Sequence, residues 1–236
     1  MSAGHRVLEQ VAARIEAAAR RAGRDPGSIT LVGVTKTVPA AAILEAVLAG
    51  LRHIGENRVQ EAASKAPALA GQSGVVTWHL IGHLQSNKAA RAAELFQWIH
   101  SVDNLDLGRR LDQAAGRLGR RLDVLMQVDL GHEPTKHGVD AGRLEELSSG
   151  LASLERLRLR GLMTIPPLFD DPGRSRPFFR QLRVLRDRLA ARGQDLPELS
   201  MGMSGDFEVA IEEGATMVRV GRALFGERPP GARPGA

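Results

Sequence analysis

The chain has 236 residues, no cysteine and no tyrosine, with 43% hydrophobic and 25% charged residues, a globular balance with room for one large core. The missing thiols exclude disulfides, thiolate metal sites and thiol nucleophiles, and every apolar run is interrupted by charge or glycine before it could cross a membrane. The net charge of +5 is spread over helical faces, as at Arg117, Arg120 and Arg121 or Arg180, Arg183, Arg186 and Arg188, and only 3% of residues are aromatic, so a nucleic-acid surface with base stacking is not expected.

Met1 to Arg6 lead into an amphipathic helix without a signal-peptide core, and a cytoplasmic protein is expected. That helix spans about Val7 to Ala22, from the Val7, Val11, Ile15 spacing. A strand over Ile29–Lys36 follows, then a helix from Pro39 to its stop at Gly50. Further strands read His53–Asn57, Thr77–Gly82, Trp98–Asp103 and Asp123–Asp129. The last three read Leu159–Thr164, Glu198–Met203 and Met217–Gly221. Eight strands with helices between them predict a single (β/α)8 barrel over residues 1–226. Residues 227–236, rich in glycine and proline, are expected to be a disordered tail.

In such a barrel the strand C-termini converge on one mouth. They carry Lys36, Asn57, the loop after His79, Ser204 and Gly221. A lysine partly desolvated there holds more free amine, the form that attacks aldehydes. Ser204-Gly205 and Gly221-Arg222 close strands seven and eight, the two loops that commonly hold phosphate in this fold. A reactive lysine beside a phosphate cradle asks for a phosphorylated aldehyde or ketone. Arg219 lies inside a strand, and a buried guanidinium needs a partner such as a carboxylate, a phosphate or a pyridine nitrogen. Asn57 also reads as a strand terminator, Met201 and Met203 as core fillers, and Lys65 and Lys136 as surface lysines that could attack an aldehyde transiently. His79 and His83 are four apart on a strand and its exit with no acidic pair beside them, so no metal site is assigned.

Six motifs stand in order along the chain. They are Gly33-Val34-Thr35-Lys36, Ile54-Gly55-Glu56-Asn57-Arg58-Val59-Gln60-Glu61 and Trp78-His79-Leu80-Ile81-Gly82-His83-Leu84-Gln85-Ser86-Asn87-Lys88. Gly161-Leu162-Met163-Thr164-Ile165 and Leu199-Ser200-Met201-Gly202-Met203-Ser204-Gly205-Asp206-Phe207 follow, then Val218-Arg219-Val220-Gly221-Arg222-Ala223-Leu224-Phe225-Gly226. Together they closely resemble the pyridoxal phosphate homeostasis protein family, whose domain is like the N-terminal barrel of alanine racemase.

The resemblance implies pyridoxal 5'-phosphate (PLP) as cofactor, held as a Schiff base on Lys36. It implies that Ser204 and the backbone at Gly221 and Arg222 hold the phosphate and that Arg219 faces the pyridine nitrogen. Asn57, His79 and the segment from Ser200 to Met203 are expected to line the ring. Arg222 stands where many members carry threonine, so its contact is expected from the backbone. His83 stands where many relatives have proline. The resemblance further implies a role in buffering or delivering the cofactor, with PLP-dependent apoenzymes as recipients and an influence on amino-acid metabolism.

Two features argue against robust turnover. An arginine at the pyridine nitrogen leaves that nitrogen unprotonated, a poorer electron sink. The absence of tyrosine removes the second base of a lysine–tyrosine racemase. A weak PLP-dependent amino-acid racemase with another base is the alternative, and a lysine-dependent phosphosugar aldolase without cofactor is a third reading. The chain lacks the domain that builds the racemase dimer, so a monomer is expected.

Overall fold

The computed structural model describes residues 3–72, 74–131 and 137–226. Eight strands, β1 (Thr30–Val34), β2 (His53–Glu56), β3 (Thr77–Leu80), β4 (Trp98–Val102), β5 (Leu122–Gln127), β6 (Leu157–Met163), β7 (Glu198–Met203) and β8 (Met217–Val220), run in sequence order around a closed barrel. Every pair is parallel, and β8 returns to β1 with Val32 opposite Arg219 and Gly33 opposite Val220. The helices are α1 (Ala3–Arg21), α2 (Ala40–Leu48), α3 (Val59–Lys65), α4 (Ala89–Leu95), α5 (Leu105–Arg117), α6 (Leu144–Ala152), α7 (Arg176–Ala190), α8 (Phe207–Glu212) and α9 (Arg222–Phe225).

The strands are apolar almost throughout because helices cover one face and the lumen fills the other. The large core lies between sheet and helices, and Phe96, Phe179 and Phe207 are fully buried in it. Leu125, Met163 and Met217 form a separate small cluster against Trp98 and Ile165. Helix α1 buries Val11, Ile15, Ala18 and Ala19 and packs on α8, α9 and α2, with Arg14 donating to Glu208 at 2.8 Å.

The expected barrel is present, and its strand bounds differ from the sequence-based ones by a residue or two. The difference that matters is at β1. The strand stops at Val34, so Lys36 lies two residues beyond it, in the turn, and not on the strand as expected. The Thr35 N–H still bonds the Gly55 carbonyl at 2.9 Å, and Thr37 then takes φ 64°, which swings the chain off the barrel. The expected tail and Lys136 lie outside the described residues.

Gly202 has φ 90°, and a Cβ there would stand 2.6 Å from the Ala210 Cβ and 2.9 Å from the Phe207 Cα. Glycine thus lets α8 close directly over β7. Gly202→Ala is expected to lower stability by about 1–3 kcal/mol through overpacking and an unfavourable φ. Urea unfolding measures this, and an unchanged midpoint would contradict that packing.

Candidate functional site

The turn that carries Lys36 is built by its neighbours. Glu56, fully buried at the end of β2, accepts the Thr35 hydroxyl at 2.6 Å and the Lys65 ammonium at 2.7 Å on Oε1. Lys65 also donates to the Thr35 carbonyl at 2.8 Å and lies 3.5 Å from Glu61. Glu61 accepts the Thr37 N–H at 3.1 Å, which holds the strained residue in place. Desolvation pushes the Glu56 carboxyl up, partly offset by its bonds to Lys65 and Thr35, and Oε2 has no partner. Both residues flanking Lys36 are therefore fixed by side chains of the next βα unit. Lys65 is not the surface lysine expected from the sequence. It is buried, and three oxygens from Thr35, Glu56 and Glu61 surround its amine.

On the adjacent side of the barrel, the Ser204 hydroxyl oxygen accepts the N–H groups of Gly221 at 3.1 Å and Ala223 at 3.4 Å. Its own proton is left to donate to a ligand. Asp206 fastens that loop, taking the Met203 N–H at 2.7 Å and the Ser175 hydroxyl at 3.0 Å. A Cβ on Gly221 would lie 3.3 Å from both the Cβ and carbonyl oxygen of Val34, so glycine lets the ends of β8 and β1 lie close. A cavity of about 530 Å³ reaches Lys36, Thr37, Gly221 and Arg222, with apolar walls from Val7, Leu8, Leu224 and Phe225. That volume is in the range of small-molecule sites.

Arg219 lies within β8 opposite Met203 of β7, and so sits deeper than Ser204 and Gly221, which follow the ends of those two strands. The buried Arg219 donates to the Ser200 hydroxyl at 2.7 Å and the Thr164 carbonyl at 2.9 Å. Among the described residues no carboxylate pairs with it. Burial pushes its pKa down to about 10, with Asp206 acting in the opposite sense, so at neutral pH it is a buried cation with neutral partners.

From Ser200 a chain of imidazoles crosses the lumen. His100 Nδ1 lies 2.9 Å from the Ser200 Oγ, His100 Nε2 lies 2.9 Å from His79 Nδ1, and His79 Nε2 lies 3.0 Å from His53 Nδ1. Arginine only donates, so the Ser200 oxygen accepts from Arg219; with its hydroxyl proton assigned to His100 Nδ1, each ring carries its proton on Nε2. Burial lowers the pKa of His79 and His100 far below the ordinary range, and that of His53 to a lesser degree. All three are neutral near pH 7.

Of the expected site residues, Lys36, Gly221 and Arg222 line the cavity, and Ser204 is joined to them by the hydrogen bond it accepts from the Gly221 N–H. Arg219, Ser200 and His79 form the hydrogen-bonded layer beneath, with Met203 opposite Arg219 in register. Asn57 follows β2 at the mouth, half-buried, its backbone so close to Gly82 that a Cβ there would meet the Asn57 oxygen at 2.4 Å. Both nitrogens of His79 are taken, so it acts through the chain and offers no free nitrogen to a ligand. His100, Glu56 and Thr164 were not anticipated. A polar residue in the middle of a buried strand, as in Trp98-Ile99-His100-Ser101, was the available signal for His100.

A closed parallel barrel with a lysine turn and a serine–glycine cradle at its mouth defines the class, and a family model described as alanine racemase, N-terminal domain, matches residues 7–229. The pyridoxal phosphate homeostasis protein of Aquifex aeolicus (strain VF5) is 46% identical over 222 residues, covering 94% of this chain and 96% of the relative. That of Escherichia coli (strain K12) is 46% identical over 224 residues, covering 94% and 95%. The structure of PipY from Synechococcus elongatus PCC7942 with PLP bound superposes with a TM-score of 0.80 at 46% identity, covering 90% of this chain and 100% of that one. An alanine racemase from Clostridium difficile 630, at 18% identity and a TM-score of 0.68, shares the fold over 86% of this chain and 56% of its own. The chain belongs to the pyridoxal phosphate homeostasis protein family.

Proposed function

We propose that this protein binds PLP, holds it as a Schiff base on Lys36, and serves PLP homeostasis in the cytoplasm as a monomer that supplies PLP-dependent apoenzymes. The observation that carries the reading is Arg219, a buried cation whose hydrogen-bond partners among the described residues are neutral, set one layer beneath the Ser204–Gly221 cradle. The donor set matches the cofactor's three polar ends. Lys36 suits the aldehyde, the Ser204 hydroxyl with the N–H of Arg222 suits the phosphate, the Gly221 N–H being spent on holding Ser204, and Arg219 suits the pyridine nitrogen. Asn57 and Met203 are placed to border the ring. When bound, the cofactor supplies an aldehyde that condenses with an amine and releases water.

The protein's own groups favour retention over turnover. Arg219 stays protonated at neutral pH and offers a donor, not a proton, to a ring nitrogen. No tyrosine exists in the chain, and His79 and His100 have both ring nitrogens hydrogen-bonded, so neither serves as a second base for a racemase.

The test is a visible absorbance spectrum of the purified, PLP-loaded protein before and after borohydride, followed by peptide mapping. A band that collapses on reduction and leaves a pyridoxyl group on Lys36 supports the reading, and no band after adding PLP overturns it. Ser204→Ala is expected to weaken cofactor retention by about 1–3 kcal/mol, the cost of losing a hydrogen bond to a charged group. Equilibrium dialysis measures it, and an unchanged dissociation constant would place the phosphate elsewhere.

A further inference from the structure

The loops leaving β3, β4 and β5 bring together His83, Asp103 and His137, three residues that the cofactor site does not use. One ligand atom from each lies within 4.8 Å of the others. The His83 and His137 rings stack with centroids 3.6 Å apart and planes 12° from parallel, and His83 Nδ1 lies 3.9 Å from Asp103 Oδ2. Ligand atoms of two imidazoles and a carboxylate from separate loops therefore lie close together at the barrel mouth, and the stacked rings must turn out of parallel to aim both nitrogens at one ion.

Each arm is anchored from behind. The Ser101 hydroxyl donates to the Gly82 carbonyl at 2.7 Å, tying the residue before His83 to β4. The Asn104 amide donates to Asp103 Oδ1 at 2.7 Å, while its own oxygen caps α5 by accepting the Leu107 N–H at 2.9 Å. That leaves Asp103 Oδ2 for His83. Gln127, buried in β5, donates to the His137 carbonyl at 2.6 Å. The Asn104 bond orients the Asp103 carboxylate directly, as outer-layer bonds do at metal sites, and the other two fix the backbone that carries the imidazoles.

We propose that His83, Asp103 and His137 bind one divalent first-row transition cation of the Zn²⁺ class. Two imidazole nitrogens and one carboxylate oxygen would form an open face, with water in the remaining positions. The nitrogen donors disfavour Ca²⁺ and Mg²⁺, which take oxygen shells, and the lack of thiolates disfavours Cu(I). Because the three ligands come from three successive βα loops, occupancy ties those loops together and raises the thermal midpoint by mass action. The spacing of His79 and His83 gives no such site, since His79 lies inside the lumen. The partners of His83 are 20 and 54 residues away along the chain.

The experiment is a calorimetric titration of chelator-treated, full-length protein with Zn²⁺, repeated with Co²⁺ to read its visible d–d absorbance. One equivalent is expected to bind. His83→Ala, His137→Ala and Asp103→Asn are each expected to weaken it about tenfold or more. His5→Ala, which removes the exposed His5–Glu9 pair on α1, is expected to leave the affinity unchanged. Binding that persists undiminished in the His83→Ala/His137→Ala double variant overturns the site, as does wild-type affinity no greater than that variant's. The borohydride-reducible adduct on Lys36, measured in the same variants, reports whether they are folded. It also keeps failure of the metal site distinct from failure of the PLP reading.

Discussion

Lys36→Ala abolishes the borohydride-reducible pyridoxyl adduct while a weaker, phosphate-dependent association with PLP remains. The loss is expected to be complete because no other described amine is placed to substitute. Lys65 stands nearest along the chain fold, but its ammonium donates to Glu56 and the Thr35 carbonyl and pairs with Glu61. Releasing it would strand the buried Glu56 carboxylate, a change that costs several kcal/mol. The variant is expected to fold, since Thr35 and Thr37 hold the turn through Glu56, Lys65 and Glu61. Intact mass spectrometry after reduction measures the result. An adduct at undiminished yield in the variant would show that another lysine carries the cofactor.

The order and number of strands were legible because each carries a short apolar run bounded by turn residues, and glycine-rich strand exits marked the mouth. What depended on pairs distant in sequence was not legible. The imidazole chain joins residues 26, 21 and 100 apart, and nothing in local periodicity links His53, His79, His100 and Ser200. Lys65 was misread for a related reason. Helix α3 has seven residues, too few for its polar and apolar faces to separate, and the acceptors of Lys65 come from β1 and β2. Lys36 was placed at the right end of the right strand, but the turn that presents it depends on Thr37 at positive φ, which a non-glycine residue does not announce.

The same imidazole chain makes the fold acid-sensitive. His79 and His100 are neutral in the folded protein because burial drives their pKa well below 6.5, and interactions with His100 or Arg219 add to it. In the unfolded chain each titrates near its ordinary value, so below about pH 6.5 the unfolded state binds more protons than the folded one. Stability is therefore flat above that pH and falls as acid is added, by up to about 1.4 kcal/mol per pH unit for each histidine. The two together give up to about 2.7 kcal/mol per unit, a large share of the roughly 5–15 kcal/mol typical of a folded domain. Glu56, raised by desolvation, gains its proton first in the folded state and offsets part of this slope. Glu212, held low by its hydrogen bond from Arg176, costs stability only near and below its ordinary 4.5. The window between about pH 5 and 6.5 thus belongs to the histidines. Urea unfolding across that window is expected to show the steep fall, and His100→Gln to reduce the slope by up to about 1.4 kcal/mol per pH unit even though it lowers stability at pH 7. A stability that does not change between about pH 5 and 7 would mean that the lumen admits protons on these rings without cost.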